Sequence, residues 1–232
     1  MLTTIDTHTL TRKGRFNGKT VIPLKRLAEV LSGVNTCLQQ FALSVHYQSP
    51  PSDRAFDGNG WQAEHQPGVA ALGDFLRERY ACKRVHQEEY LPEFVLPDGF
   101  VLMGRADVVA FLEDGGVVVG DFKTGGWKSE AHWFQCALAA QGLVKAGKAT
   151  YVKAIVRQYL GQAPEVEPDI TRFLGASQAA FMRRVLNVLQ AEIVQTTPTW
   201  TNCRFCDFKG VCGDAVLEPP VVTGTIEDLF PY

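Results

Sequence analysis

No apolar run in this chain approaches the roughly 20 residues of a membrane-spanning helix, so neither a spanning helix nor a membrane partner is expected. Its opening, Met1-Leu2-Thr3-Thr4-Ile5-Asp6, lacks the basic start and apolar stretch of a secretion signal, which makes the cytoplasm the expected compartment. Charge of one sign is not in excess: 23 Lys and Arg against 25 Asp and Glu leave a formal net charge of −2. No protein-wide field therefore draws in a polyanion. A Gly-x-x-x-x-Gly-Lys-Ser/Thr stretch is missing, and with it any recognisable P-loop. Internal repeats and low-complexity tracts are absent. Six cysteines in 232 residues do not suggest a disulfide framework in a chain with no secretion signal.

What is present is enough for one sizeable core, with 46% hydrophobic residues and 21% charged ones. Helices are expected from Pro23 to about Leu31, from Val34 to about His46, and from Trp61 to Tyr80, the last broken or restarted at Pro67-Gly68. Residues 48–60 have the composition of a loop. Strands are expected over about 83–96, 100–112 and 116–123, then a helix over 130–146, a strand over 150–160, and a long amphipathic helix over 169–194. That order predicts an α/β domain with a mixed central sheet flanked by helices. The segments divide as residues 1–60 (helical), 61–195 (the core), 196–215 (three cysteines) and 216–232 (a tail).

The most informative stretch is residues 104–125. Gly104-Arg105-Ala106-Asp107 opens a Val-rich run, Asp114-Gly115-Gly116 marks a turn, and Asp121-Phe122-Lys123-Thr124-Gly125 closes the second run. Alternation along a strand puts Arg105, Asp107 and Val109 on one face, and Val119, Asp121 and Lys123 on one face. An unpaired carboxylate among valines is costly, so Asp107 requires a cation, either Arg105, Lys123 or a metal ion. Two carboxylates and an ammonium in one small volume suit metal-dependent phosphodiester cleavage. Farther along, Cys203, Cys206 and Cys212 crowd together, with Cys37 far upstream. Cys82 and Cys136 fit better as small buried apolar residues. Arg12, Lys13, Arg15 and Lys19, interleaved with Phe16, form a basic cluster that is either a solvated arm or a DNA contact.

The two strand motifs resemble those of the PD-(D/E)XK nuclease superfamily, specifically its RecB-like branch, whose strands carry Gly-Arg-x-Asp and Asp-x-Lys-Thr-Gly. Gln135 matches the glutamine of the branch's Gln-x-x-x-Tyr motif, although the tyrosine position here is Ala139. The cysteines are similar to those of the iron–sulfur members, among them AddB-type nuclease domains and CRISPR-associated RecB-like exonucleases. The resemblance implies a restriction-endonuclease-like core, with Cys37, Cys203, Cys206 and Cys212 holding a 4Fe–4S cluster that joins the two ends of the chain; four thiolates suit tetrahedral zinc equally well. The branch's first motif, a His or Glu on the helix before the strands, falls on Glu64 by spacing from Gly60, or on His65 by the prevalence of histidine in iron–sulfur members.

The implied activity is a Mg²⁺- or Mn²⁺-dependent DNA exonuclease on single-stranded ends, in recombination, repair, phage replication or CRISPR spacer acquisition. The resemblance implies catalytic roles for Asp107, Asp121, Lys123 and Gln135, with Asp107, Asp121, the Phe122 carbonyl and Glu64 or His65 as metal ligands. Two rivals are a non-enzymatic DNA-binding or scaffold subunit with a decayed nuclease fold, and a zinc-ribbon module that leaves the strand motifs unexplained. Ring-forming relatives make a homo-oligomer a candidate state. At the C-terminus Asp228-Leu229-Phe230 resembles the end of a sliding-clamp-binding peptide, without its glutamine; packing of Leu229 and Phe230 on their own domain is the simpler expectation.

Overall fold

The Asp-Gly-Gly turn folds back the two Val-rich runs as expected. In the computed structural model, which describes residues 10–50, 58–96, 99–125, 128–190, 199–204, 206–213 and 215–218, they form strands β5 (Arg105–Leu112) and β6 (Gly116–Lys123). The turn needs its glycine, since Gly115 has φ +87°, and Asp114 Oδ1 accepts the Gly116 N–H at 3.0 Å. Strand β2 (Cys82–Tyr90) runs antiparallel on the far side of β5. Beyond β6 lie β7 (Tyr151–Tyr159), parallel to it, and β8 (Glu165–Glu167), antiparallel to β7. The five-stranded sheet is therefore mixed, in the order β2-β5-β6-β7-β8. The parallel β6–β7 step needs a crossover, supplied by helix α4 (Glu130–Lys145), which Ser129 caps by accepting the Ala131 N–H at 3.2 Å.

Strand β6 is apolar on both faces because helices cover both. Val117 and Val119 join the core under α4, while Val118 and Phe122 join the core under helix α3 (Gly58–Arg79). Helix α3 approaches closely at two glycines. A Cβ on Gly68 would lie 2.0 Å from the Phe122 ring, and one on Gly120 would lie 2.9 Å from Leu72. The helix also runs unbroken through Pro67, contrary to the sequence expectation. Ala63, whose carbonyl loses its partner there, sits in an exposed stretch where water can replace the bond.

Other expectations are corrected by packing. The run over 100–112 is two strands, β4 (Phe100–Met103) and β5, separated at Gly104. A Cβ there would meet Leu24 at 2.6 Å, so the bend lets helix α1 (Leu24–Leu31) close over the strand junction. Strand β4 pairs with β1 (Thr20–Pro23) and β3 (Phe94–Val95) in a second, three-stranded sheet, so the single expected sheet is two. The run over 83–96 ends as β2 before Pro92 and resumes as β3. The expected long helix over 169–194 is α5 (Thr171–Leu174) and α6 (Ala176–Leu189), parted where Gly175 adopts an extended conformation. Cys37 is not inside helix α2 (Leu38–His46) but caps it, its sulfur accepting the Gln40 N–H at 3.4 Å.

The two ends of the described chain meet. Phe208 packs with Leu43 and Tyr47 of the α2 region, Asn202 of helix α7 (Trp200–Cys203) donates to Thr36 Oγ1 at 2.7 Å, and Arg26 pairs with Asp207 at 3.4 Å.

Gly68→Ala tests the close packing of α3. Alanine gains about 1 kcal/mol of helix propensity, but the clash with the Phe122 ring outweighs it, for a net loss of about 1–3 kcal/mol. Thermal unfolding should show a Tm several degrees lower. The matched control Gly125→Ala, with nothing within 4 Å of the new Cβ, should leave Tm unchanged.

Candidate active site

The β5–β6 ladder stops at Val108↔Gly120, and the next residues, Asp107 and Asp121, flank the point where the strands part. The parting is what makes a site. The Phe122 N–H, released from the ladder, is taken up by Asp107 Oδ2 at 2.8 Å. Lys123 Nζ lies 2.5 Å from Asp121 Oδ1, 3.8 Å from Asp107 Oδ2 and 3.5 Å from the Phe122 carbonyl.

Helix α3 sends His65 into the same place. Its Nε2 is 3.6 Å from Asp107 Oδ2 and its Nδ1 is 3.6 Å from Glu88 Oε1. Trp61, one turn earlier, stacks on the imidazole at 4.4 Å between centroids, and Phe122 meets it edge-on at 5.9 Å. The glycine packing of α3 thus fixes the position of His65, because Gly68 is the next turn of the same helix.

Glu88 was not anticipated from the sequence. It stands on β2 between Gln87↔Val108 and Glu89↔Ala106, and so across from Asp107. Like charges directly opposite are unfavourable, and Glu88 also holds φ at 55°, a strain of about 1–3 kcal/mol for a side-chain-bearing residue. Its Oε2 is 2.5 Å from Arg105 Nε. Within a solvent-edge run such as Gln87-Glu88-Glu89, nothing in the sequence separates Glu88 from its neighbours; only the register against Asp107 does.

One ligand atom each from His65, Glu88 and Asp107 lie within 4.8 Å of one another, a group able to hold a metal ion. Buried and without a hydrogen-bond partner among the described residues are His65 Nδ1, Glu88 Oε1 and Asp121 Oδ2. Unsatisfied buried polar atoms of this kind are costly, and a divalent cation would satisfy them with oxygen and nitrogen ligands. The residues present therefore fit such an ion.

The electrostatics are those of crowded acids. Burial, with the Asp107 charge adding to it against the pull of Lys123, pushes the Asp121 carboxyl up to about 6. Burial acts in the same sense on Asp107, but His65, Lys123 and the Phe122 N–H together hold its pKa below the usual value. The Lys123 ammonium loses solvation yet is held charged by Asp121 and Asp107, which raise its pKa.

Asp107, Asp121, Lys123 and His65 are thus brought together, while Glu64 is exposed on α3, about 100° around the helix from His65. Gln135 is half-buried on α4, one turn after His132. Ala139, on α4, buries its methyl group in the core, so no polar group stands at the motif's tyrosine position. Cys136 is buried and Cys82 half-buried. Cys37, Cys203, Cys206 and Cys212 line one pocket between α2 and the C-terminal segment. Burial, then the neighbouring Cys37, Cys203 and Cys212, push the Cys206 thiol up to about 11 despite the N–H donated by Phe208. Asp228, Leu229 and Phe230 lie outside the described residues.

Comparison with known proteins bears on the family and the fold. The sequence pattern of the PD-(D/E)XK nuclease superfamily matches residues 24–213. A candidate exonuclease from Eubacterium rectale is similar in structure, with a TM-score of 0.51 and 11% identity over 93% of this chain and 94% of that one. The crystal structure of SSO0001 gives a TM-score of 0.47 and 14% identity over 88% and 90%. At 11% identity the likeness to the Eubacterium rectale protein is one of fold. No curated protein matches the chain.

His132, beside the site, offers a pH test. Its Nδ1 lies 2.9 Å from the Tyr159 hydroxyl. Burial, then Lys123, Arg157 and Lys25, lowers its pKa from 6.5 to about 4. The unfolded chain therefore binds the proton first as pH falls. The stabilisation is complete above the unfolded value and is lost through the window from 6.5 down to about 4. Denaturation midpoints measured across that window should fall less steeply for His132→Gln than for the parent protein.

Proposed function

This chain belongs to the PD-(D/E)XK nuclease superfamily, and we propose that it is a metal-dependent DNA exonuclease of the RecB-like branch that acts on single-stranded ends. The observation that carries the reading is the convergence of His65, Glu88, Asp107, Asp121 and Lys123 where β5 and β6 part, with buried ligand atoms unsatisfied.

Mg²⁺ or Mn²⁺, held by Asp107, Asp121, the Phe122 carbonyl, His65 and Glu88, would supply Lewis-acid charge and an acidified water. The protein's own groups do the rest. Lys123, kept protonated by two carboxylates, presents positive charge to the scissile phosphate and orients the attacking water. His65, wedged between Trp61 and Phe122, fixes the Asp107 carboxylate. Gln135 positions the substrate from α4. The water loses one proton to solvent as its oxygen bonds to phosphorus, one P–O ester bond breaks, and the leaving oxygen takes up a proton from solvent, with no covalent enzyme intermediate. The intact acidic and lysine set weighs against a decayed scaffold subunit.

The cysteine pocket supports a 4Fe–4S cluster on Cys37, Cys203, Cys206 and Cys212. All four cysteines line one pocket, and burial pushes the Cys206 thiol up to about 11, so that a cation beside it would favour the thiolate. Such ligation would add folding free energy by tying residue 37 to residues 203–212.

Asp107→Ala, Asp121→Ala and Lys123→Ala should each lower Mn²⁺-dependent cleavage of end-labelled single-stranded DNA by about 100–1,000-fold, with an unchanged far-UV spectrum. His65→Ala should do likewise and Glu64→Ala should not. Undiminished cleavage by the Lys123 variant would falsify the catalytic assignment. Replacing any one of the four cysteines should remove brown colour and lower Tm; a colourless, zinc-loaded, fully active protein prepared without oxygen contradicts the iron–sulfur reading.

A further inference from the structure

A cavity of about 280 Å³ lies apart from the carboxylate site, and its charge has the opposite sign. Arg12, Lys13, Arg15 and His46 line it, and among the described residues no carboxylate does. In a chain of net charge −2 such a concentration is not expected from composition.

The segment is held in place rather than laid loosely on the surface. The Lys13 N–H donates to the His46 carbonyl at 2.9 Å, and Lys13 Nζ donates to the Ser44 carbonyl at 2.6 Å. Arg12 sits over the Tyr47 ring at 5.6 Å, and His46 Nε2 lies 2.9 Å from the Leu189 carbonyl. Capping of the α2 C-terminus by Lys13 explains one of its three donors. It does not explain why Arg15 lines the same cavity. Partial burial, and then the Arg26 guanidinium, lowers the pKa of Lys13.

We propose that this cavity is a second phosphate site, which grips the nucleic-acid backbone at a distance from the bond being cut. The proposal rests on the nuclease reading for its ligand, since a phosphate monoanion on a polymer is what that reading brings to the surface. The topology connects the two sites. Phe100 and Thr20 line the cavity at the start of the parallel β1–β4 pair, and the chain from Phe100 reaches Asp107 through Gly104. Seven residues of extended chain span at most about 24 Å, the rise of about seven stacked nucleotides. A strand whose end lies at Asp107 and Asp121 can therefore extend to the cavity. Guanidinium groups suit its phosphates through paired N–H donors.

The test is binding of a fluorescent oligothymidylate long enough to reach both sites, measured by anisotropy in EDTA so that nothing is cleaved. Arg15→Gln and the Lys13→Gln/Arg15→Gln pair are compared with the parent protein over a range of salt. Affinity should fall about tenfold for the pair, and the slope of log K against log salt should shrink by about 0.7 for each phosphate no longer neutralised. Calorimetric titration of inorganic phosphate into the same proteins reports whether the cavity takes the free anion. Unchanged DNA affinity and slope in both variants overturn the proposal, whether or not free phosphate binds. A lower Tm with an unchanged slope also overturns it, reducing Lys13 to a helix cap; Arg15→Gln, away from that hydrogen bond, guards against misfolding. Parent protein that binds DNA with this dependence but never cleaves it leaves the cavity standing and removes the nuclease reading. Cleavage by the parent with variants that bind equally well does the reverse.

Discussion

Three carboxylates, Glu88, Asp107 and Asp121, are held near one another where two central strands separate, with one ammonium and one imidazole among them. Two like charges about 4 Å apart repel by about 4 kcal/mol at an effective dielectric of 20. A chain of marginal stability keeps such a group only where the rest of the structure enforces it. The enforcement is visible. Helix α3 closes on the sheet through Gly68 and Gly120, which delivers His65; the ladder ends at Val108↔Gly120, which frees Asp107 to bond the Phe122 N–H; and Glu88 adopts a strained backbone to face Asp107.

The same constraint organises the charge around it. Lys123 is captive between two acids, His132 is kept neutral by burial and neighbouring cations, and Arg105 answers Glu88 from the solvent side. At the other pole the cations of residues 12–15 gather against the end of α2, close to the region where Tyr47 packs on Phe208. The molecule thus separates a cluster of acids on the sheet from a cavity lined by cations, and the cysteine segment packs against α2, whose end borders that cavity.

The strand motifs were legible because each carries its own local signal: valine runs, an Asp-Gly-Gly turn, and an acid with a lysine two residues on. Alternation gave the shared face of Asp121 and Lys123 directly. Glu88 was not legible, because its role comes from pairing with a strand distant in sequence, and its own neighbourhood is that of an exposed strand. The choice between Glu64 and His65 needed the helix phase relative to the sheet, which sequence spacing does not fix and the Gly68–Phe122 contact does. Pro67 misled by its usual effect on helices, since the exposed Ala63 carbonyl can turn to water. The breaks at Gly104 and Gly175 were hidden inside periodic runs, where a glycine's close contact with Leu24, or its extended backbone, is a tertiary fact.

If the acidic centre exists to hold a cation, the cation must stabilise the fold. Thermal unfolding of the protein with Mn²⁺ added, against the same protein in chelator, measures this most directly. Saturation at about a hundredfold over Kd should add about 2.7 kcal/mol, seen as a clear rise in Tm that is lost in Asp107→Asn. Equal Tm with and without Mn²⁺, together with cleavage that a chelator leaves untouched, would contradict the account.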